Sequence, residues 1–154
     1  MNKKYLIVIV FLLLVIMGGA YKLLIQGSVS KSTDGRMAIY LNASERDLVL
    51  EEMRAFLDSV QKITKGLSEN NMELVVKYAK KVGRASQGET PGTLMEKLPI
   101  SFKKLGFDTH SKFDLLALDA ESLGDRDHAL TQLSILMKNC VACHAAHRLQ
   151  VEEK

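Results

Sequence analysis

The chain has little of several residue types that define common classes of small protein. Its 154 residues include two cysteines, two prolines and no tryptophan. Two cysteines are too few for the disulfide framework of a small secreted domain. Both prolines lie between residues 84 and 108, so the rest of the chain is free of the strongest helix breaker. These absences favour a helical protein that is not held together by disulfides.

The chain also has almost no net charge outside its first residues. The formal charge of +3 comes from 21 basic and 18 acidic residues. Three of the basic residues, Lys3, Lys4 and Lys22, precede residue 27, and no acidic residue does, which leaves 18 basic and 18 acidic residues. A basic surface for nucleic acid is therefore not expected.

An apolar segment follows the basic start. Tyr5–Met17 carries no charge, which is typical of a signal peptide, with cleavage after Ala20. The alternative is an uncleaved anchor, because Tyr5–Ile25 is interrupted only by Lys22 and about 20 apolar residues span a bilayer. The dense Leu, Ile and Val content favours the anchor. We expect residues 1–25 to be a leader or anchor, and the rest to face the periplasm or another extracytoplasmic space.

The remainder predicts one helical domain. Residues 26–43 are expected to be a linker whose apolar patch, Met37–Leu41, lies against the domain. Ser44 starts a helix, with Asp47 completing a capping box. Apolar residues at spacings of four and three predict its inward face: Val49, Met53, Phe56, Val60, Ile63 and Leu67.

Three further helices follow in this prediction. They span residues 71–82, 109–123 and 126–150, and residues 84–108 are expected to be mostly loop, in which Ile100–Phe107 could make one short turn of helix. The inward face of the last helix is predicted as Leu130, Leu133, Met137, Cys140, His144 and His147. No segment after the leader alternates long enough to predict a sheet. The fold class is therefore all-α, an antiparallel four-helix bundle over residues 44–150.

The most informative motif is Cys140-Val141-Ala142-Cys143-His144. This C-x-x-C-H spacing is the attachment signature of a c-type haem. Both thiols can add to haem vinyl groups, and the histidine that follows can ligate the iron. The predicted inward position of Cys140 and His144 would bury such a haem in the bundle.

Other interpretations of the two cysteines are weaker. No strand precedes Cys140, as it would in a thioredoxin-like redox motif, and a disulfide to Cys143 would constrain little. Zinc is the stronger alternative, because Cys140, Cys143, His144 and His147 share one helical face. These residues span roughly 10 Å along a helix, so one ion could not bind all four. A haem-free zinc protein is kept as a remote alternative.

The stretch from Cys140 to Arg148 resembles the class II c-type cytochromes, the cytochrome c-prime group and its low-spin relatives. Their pattern is C-x-x-C-H-x-x-x-R, which places Arg148 at the arginine position and His147 where an aromatic is common. The resemblance covers about residues 44–150. It implies one covalent haem c, thioether links at Cys140 and Cys143, His144 as the proximal iron ligand, and an Arg148 contact with a haem propionate.

The resemblance also implies that the first helix supplies the group on the distal side of the iron. Met53 is the predicted distal ligand and would make a six-coordinate electron carrier. An apolar Leu50 or Leu57 there would instead leave a five-coordinate iron that binds NO or CO. Met72 and Met95 are weaker candidates. His110, placed at the start of the third helix, is expected to make a local hydrogen bond.

The sequence therefore predicts a periplasmic monohaem cytochrome that transfers single electrons and is not an enzyme. No nucleophile and base are paired in the sequence. The expected partners are redox proteins of an electron-transfer chain, and the membrane if the leader is retained. Homodimers are common in the family, and dimerisation is left open because the outward residues of the first two helices are mostly charged.

Overall fold

The computed structural model describes residues 3–88 and 90–152. Most of these residues are helical, which agrees with the predicted class. The α-helices are α1 Lys3–Ala20, α2 Ala43–Ser68, α3 Met72–Lys81, α4 Gly92–Lys97, α5 Ile100–Leu123 and α6 Arg126–Ala146. A π-helical stretch, Tyr21–Gln26, continues α1, and a 3₁₀ turn, Arg84–Gln87, follows α3. The strands are β1 Val29–Lys31, β2 Met37–Leu41 and β3 His147–Val151.

Helix α2 begins two residues earlier than predicted. Asn42 is its N-cap, and the Asn42 side chain accepts a hydrogen bond of 2.9 Å from the Glu45 backbone N–H. The Glu45 carboxylate in turn accepts a 3.0 Å hydrogen bond from the Asn42 N–H. This reciprocal pair is a capping box with the favoured glutamate at its third position, so the predicted Ser44–Asp47 box is wrong.

The inward face of α2 is confirmed. Val49, Phe56, Ile63 and Leu67 are buried, while Met53 and Val60 are partly buried against the core. The α2 helix packs on α3, α3 on α5, α5 on α6 and α2 on α6. One apolar core runs between these four helices, and a smaller core lies beneath the strands and α4.

Helix α3 lies within one residue of its predicted bounds, but the long loop predicted after it is wrong. Residues 84–108 contain α4 and the first nine residues of α5, which begins directly after its N-cap, Pro99. Proline is compatible with a helix start, because the first N–H groups have no partner within the helix. Gly106 lies inside α5 and does not end it, because the penalty of a helical glycine, about 1 kcal/mol, is small against tertiary packing.

Helix α6 ends at Ala146 rather than at Gln150, and its buried face differs from the prediction. The buried residues are Ala129, Leu133, Leu136 and Asn139, so only Leu133 belongs to the predicted set on this helix. Leu130 is 51% exposed and Met137 is 43% exposed. The error arises because α6 carries apolar residues on several faces, so that periodicity alone does not select one.

A three-stranded sheet was not predicted. Strand β1 pairs antiparallel with β2, and β2 pairs parallel with β3, so that Ile39 faces Val29 on one side and Leu149 on the other. The predicted linker therefore contributes to the core, because Ala38, Ile39 and Leu41 are buried. The expectation that Met37–Leu41 lies against the domain is confirmed, and its conformation is a strand.

Residues 3–26 form a continuous helix that is long and apolar enough to cross a membrane, and none of its side chains is buried. This finding agrees with either a signal peptide or an anchor.

Candidate cofactor site

A cavity of about 380 Å³ lies between α2, α5 and α6. We call it the cysteine cavity. Its α6 wall consists of Met137, Asn139, Cys140, Cys143 and His144. Most of the remaining wall is apolar and comes from α2 and α5: Leu50, Met53, Phe56, Leu57, Val60, Phe102 and Leu105. A mostly apolar cleft with a few polar groups is typical of a cofactor site.

The structure brings four predicted site residues to this one cavity. Cys140, Cys143 and His144 line it from α6, and Met53 lines it from α2. Both cysteines are free and partly buried, and His144 is exposed. They occupy the last two turns of α6, which are regular helix despite the cavity beside them.

The thiols are not activated for redox or nucleophilic chemistry. Burial raises the pKa of Cys140, and burial together with the neighbouring Cys140 raises the pKa of Cys143. Reactive cysteines in thiol chemistry have a lowered pKa. The two thiols are therefore protonated at neutral pH and do not resemble a thioredoxin-type pair.

Arg148 does not lie one helical turn beyond His144, because α6 has ended at Ala146 and Arg148 belongs to β3. Its guanidinium donates a 3.2 Å hydrogen bond to the Ser32 hydroxyl and lies 3.5 Å from the Asp34 carboxylate. It does not line the cysteine cavity, so the structure gives no support to its predicted propionate contact.

His147 is buried between α5 and the end of α6. Its Nε2 atom lies 3.0 Å from the Ser101 hydroxyl, and its ring packs edge-on against Phe102. Burial lowers the pKa of His147, so the ring is neutral at pH 7. Phe102 is also a wall residue of the cysteine cavity, so His147 supports that wall from behind.

The polar edge of the cavity is a network that the sequence analysis missed. Asn139 donates hydrogen bonds of 2.8 Å to the Asp108 carboxylate and 3.2 Å to the Thr109 hydroxyl. Lys112 donates to both Asn139 and Asp108, and these hydrogen bonds from Lys112 and Asn139 hold the pKa of Asp108 below its ordinary range. The network ties α6 to α5 at the level of Cys140. The i, i+4 spacing of Asp108 and Lys112 was its only signal in the sequence.

Arg54 is the one lysine or arginine among the described residues that line the cysteine cavity. It follows Met53 on α2 and is largely exposed. An exposed cationic side chain on the wall of an apolar cavity is suited to an anionic group of a bound molecule.

His110 does not make the local hydrogen bond that was predicted. It lies in the middle of α5, where Nδ1 is 2.8 Å from the Val82 carbonyl and Nε2 is 3.1 Å from the Glu52 carboxylate. Burial alone lowers the pKa of His110, but these two acceptors outweigh burial and raise it. Both ring nitrogens face acceptors, so the geometry favours the protonated ring paired with Glu52.

The remaining geometry bears on the zinc alternative. Within residues 3–88 and 90–152, no three His, Cys, Asp or Glu side chains are close enough together to bind one metal ion. A structural zinc site normally has four such ligands. The cysteine cavity therefore does not resemble a zinc centre.

No protein-family profile, curated protein or solved structure matches this chain.

Proposed function

We propose that the protein is an extracytoplasmic monohaem c-type cytochrome that transfers single electrons between redox partner proteins. In this proposal α2, α3, α5 and α6 are a four-helix bundle of the class II type. The observation that carries the proposal is the cysteine cavity, which Met53 lines from one helix and the two cysteines and the histidine of the C-x-x-C-H motif line from another.

The residues present fit a haem. Cys140 and Cys143 would form the thioether links, and His144 would be the proximal iron ligand. The apolar side chains around them would exclude water, which tunes the potential of a bound haem. A bound haem would supply the one-electron chemistry, while the protein contributes ligands, burial and orientation.

Arg54 replaces Arg148 as the favoured partner for a haem propionate. It lies on the wall of the cysteine cavity, whereas Arg148 lies outside it and is engaged by Ser32 and Asp34. A guanidinium can bind a carboxylate through two parallel hydrogen bonds.

The second candidate is a haem module that binds NO or CO. Leu50 and Leu57 line the cysteine cavity from the same helix as Met53, and Leu57 is 70% exposed. If a leucine rather than Met53 faces the iron, the sixth position has no protein ligand.

The test of the proposed function is the visible spectrum of the full chain produced with a bacterial haem-attachment system. We expect covalent haem that resists acid–acetone extraction, and we expect replacement of Cys140 and Cys143 by serine to abolish this covalent attachment. His144→Ala should disturb the iron spectrum. His128→Ala is the matched control, since His128 lies on the same helix and is exposed outside the cavity. A wild-type chain without haem bands, or an unchanged His144→Ala spectrum, contradicts the proposal.

Met53→Ala separates the two candidates. If Met53 is the distal ligand, the wild-type reduced protein should ignore CO and the variant should bind it. Met72→Ala is the matched control, because Met72 packs against the core away from the cysteine cavity. A wild-type protein that already binds CO would favour the gas-binding module.

A further inference from the structure

A second cavity of about 380 Å³ lies on the other side of α2. We call it the α4 cavity. Its walls come mainly from α2, α4 and α5, and its apolar side chains include Leu94, Met95, Leu98 and Phe107. None of its wall residues belongs to the C-x-x-C-H motif, so it is distinct from the cysteine cavity.

A hydrogen-bonded histidine and carboxylate line the α4 cavity. His110 is only 2% exposed, and its Nε2 atom is 3.1 Å from the Glu52 carboxylate, whose side chain is 42% exposed. The imidazole fixes one oxygen of Glu52, so the other can accept a hydrogen bond from a molecule in the cavity. A buried histidine and a carboxylate at the end of an apolar cleft suit an aromatic ligand with a polar ring substituent.

The α4 cavity shares a wall with the cysteine cavity. Glu52, Phe56, Phe102 and Gly106 line both. A molecule in the α4 cavity would therefore be separated from the proposed haem by single side chains.

The same part of the fold holds the end of the apolar helix. The Ser28 N–H donates a 2.7 Å hydrogen bond to the Lys97 carbonyl, and the Lys103 ammonium lies 3.4 Å from the Leu24 carbonyl. Gly27 has a φ of 69°, and a side chain there would collide with the backbone of Lys97. Since Lys103 also lines the α4 cavity, the cavity lies beside the segment that would emerge from the membrane.

We propose that the α4 cavity binds the ring of a membrane quinol. A quinol hydroxyl can donate to Glu52, and its ring can pack against Phe56, Phe102 and Phe107. A lipid acyl chain would fill the apolar walls but would offer no hydrogen-bond donor to the second carboxylate oxygen of Glu52. The inference rests on the proposed function, because it names the class of redox partner that a membrane-anchored cytochrome would meet.

The test is calorimetric titration of the full haem-containing chain in detergent with decylubiquinol and with menadiol, under argon and with the haem reduced beforehand. We expect saturable binding of both probes. Decanol, which has an alkyl chain without a quinol ring, should not compete. Equal binding of decanol would assign the cavity to an acyl chain and overturn the inference.

Two pairs of variants locate the binding. Ala55→Phe should fill the α4 cavity and weaken binding by at least about tenfold, whereas Ala85→Phe, at an exposed position outside the cavity, should not. Phe107→Ala removes an aromatic wall and should weaken binding, and Leu115→Ala is its exposed control on the same helix. Phe107 is 43% exposed, so its truncation removes little core packing and the variant should still fold. It therefore keeps the test decisive if Ala55→Phe fails to fold.

The haem absorbance, recorded before the quinol is added, separates the two proposals. A chain that takes up no haem contradicts the proposed function. A chain with normal haem bands that binds no quinol, or binds it equally well in both α4-cavity variants, overturns this inference alone.

Discussion

At the scale of single residues, Glu45 joins three parts of the fold. It is 7% exposed, and its carboxylate accepts hydrogen bonds from the Asn42 N–H and from the Lys97 ammonium at 2.8 Å. Lys97 also pairs with Glu152 beyond β3 at 3.0 Å. Burial by itself raises the pKa of Glu45, but the hydrogen bonds from Lys97 and Asn42 outweigh it and bring the pKa below its ordinary 4.5.

Glu45→Gln should lower the free energy of unfolding by about 2 kcal/mol at pH 7, because it removes a charge-assisted hydrogen bond and leaves Lys97 less well paired. The folded pKa lies below the unfolded value of about 4.5, so the charge of Glu45 stabilises the fold fully above that value and loses its effect as the pH falls through the folded pKa. Urea unfolding at pH 7 and in acid measures the difference. Glu69→Gln, in the exposed pair with Lys65, is the control and should cost little. If the wild type kept the same excess in unfolding free energy over Glu45→Gln in strong acid, this account would be contradicted.

Residue spacing predicted part of the candidate site and could not predict the rest. Cys140, Cys143 and His144 lie within five consecutive residues, so a single helix is enough to bring them to one wall of the cavity. The contact between Glu52 and His110 joins residues 58 positions apart on different helices, so no local pattern indicates it. The contacts of Arg148 could not be predicted for the same reason, because its partners Ser32 and Asp34 are more than 110 positions away in the sequence.

At the scale of elements, α6 is the helix on which sequence and structure differ most. Prediction placed Leu130 and Met137 inward, whereas the structure buries Leu136 and leaves Leu130 51% exposed. The cysteine cavity explains the exposure of Met137, which is a wall residue of that cavity. An apolar face turned to an open cavity and one turned to the core look alike in a sequence.

Leu136→Ala and Leu130→Ala measure which face of α6 meets the core. Leu136 is fully buried, so its truncation should cost about 2–5 kcal/mol by removing apolar burial and leaving a cavity. Leu130→Ala should cost no more than about 0.5 kcal/mol, as is usual for a surface position. Urea unfolding followed by circular dichroism gives both values. A larger loss of unfolding free energy for Leu130→Ala than for Leu136→Ala would mean that Leu130, and not Leu136, faces the core.

Strand β3 could not be predicted for a physical reason. It has five residues, follows α6 without a glycine or proline, and gains its hydrogen bonds from β2, 110 residues earlier. Parallel pairing depends on the whole chain between the two strands, and short segments do not reveal it. By contrast, α2 and α3 follow local rules of capping and periodicity, and their positions were largely predicted.

At the scale of the whole molecule, the apolar helix at residues 3–26 is the feature that bears on localisation. Residues 3–26 combine high hydropathy with complete exposure, so in water this helix would present a large apolar surface without a partner. Its end is also held by hydrogen bonds to the α4–α5 region, at Lys97 and Lys103. These bonds lie beyond Ala20 and would survive cleavage there, so they do not separate an anchor from a signal peptide.

We expect the full chain to stay with the membrane fraction through high salt and alkaline carbonate and to be released only by detergent, because burial of about 20 apolar residues in lipid is effectively irreversible. Intact mass of the purified protein should then correspond to an uncleaved N-terminus.

Fusing the membrane-targeted chain to a periplasm-dependent reporter, such as alkaline phosphatase after residue 152, should give activity, since Lys3 and Lys4 favour an inside N-terminus. The control starts at Gly27 behind a cleavable signal sequence and should be soluble in the periplasm with the same haem spectrum. Recovery of the full chain as a soluble protein beginning at Tyr21 would contradict the anchor and identify a signal peptide, which would also separate the α4 cavity from the membrane.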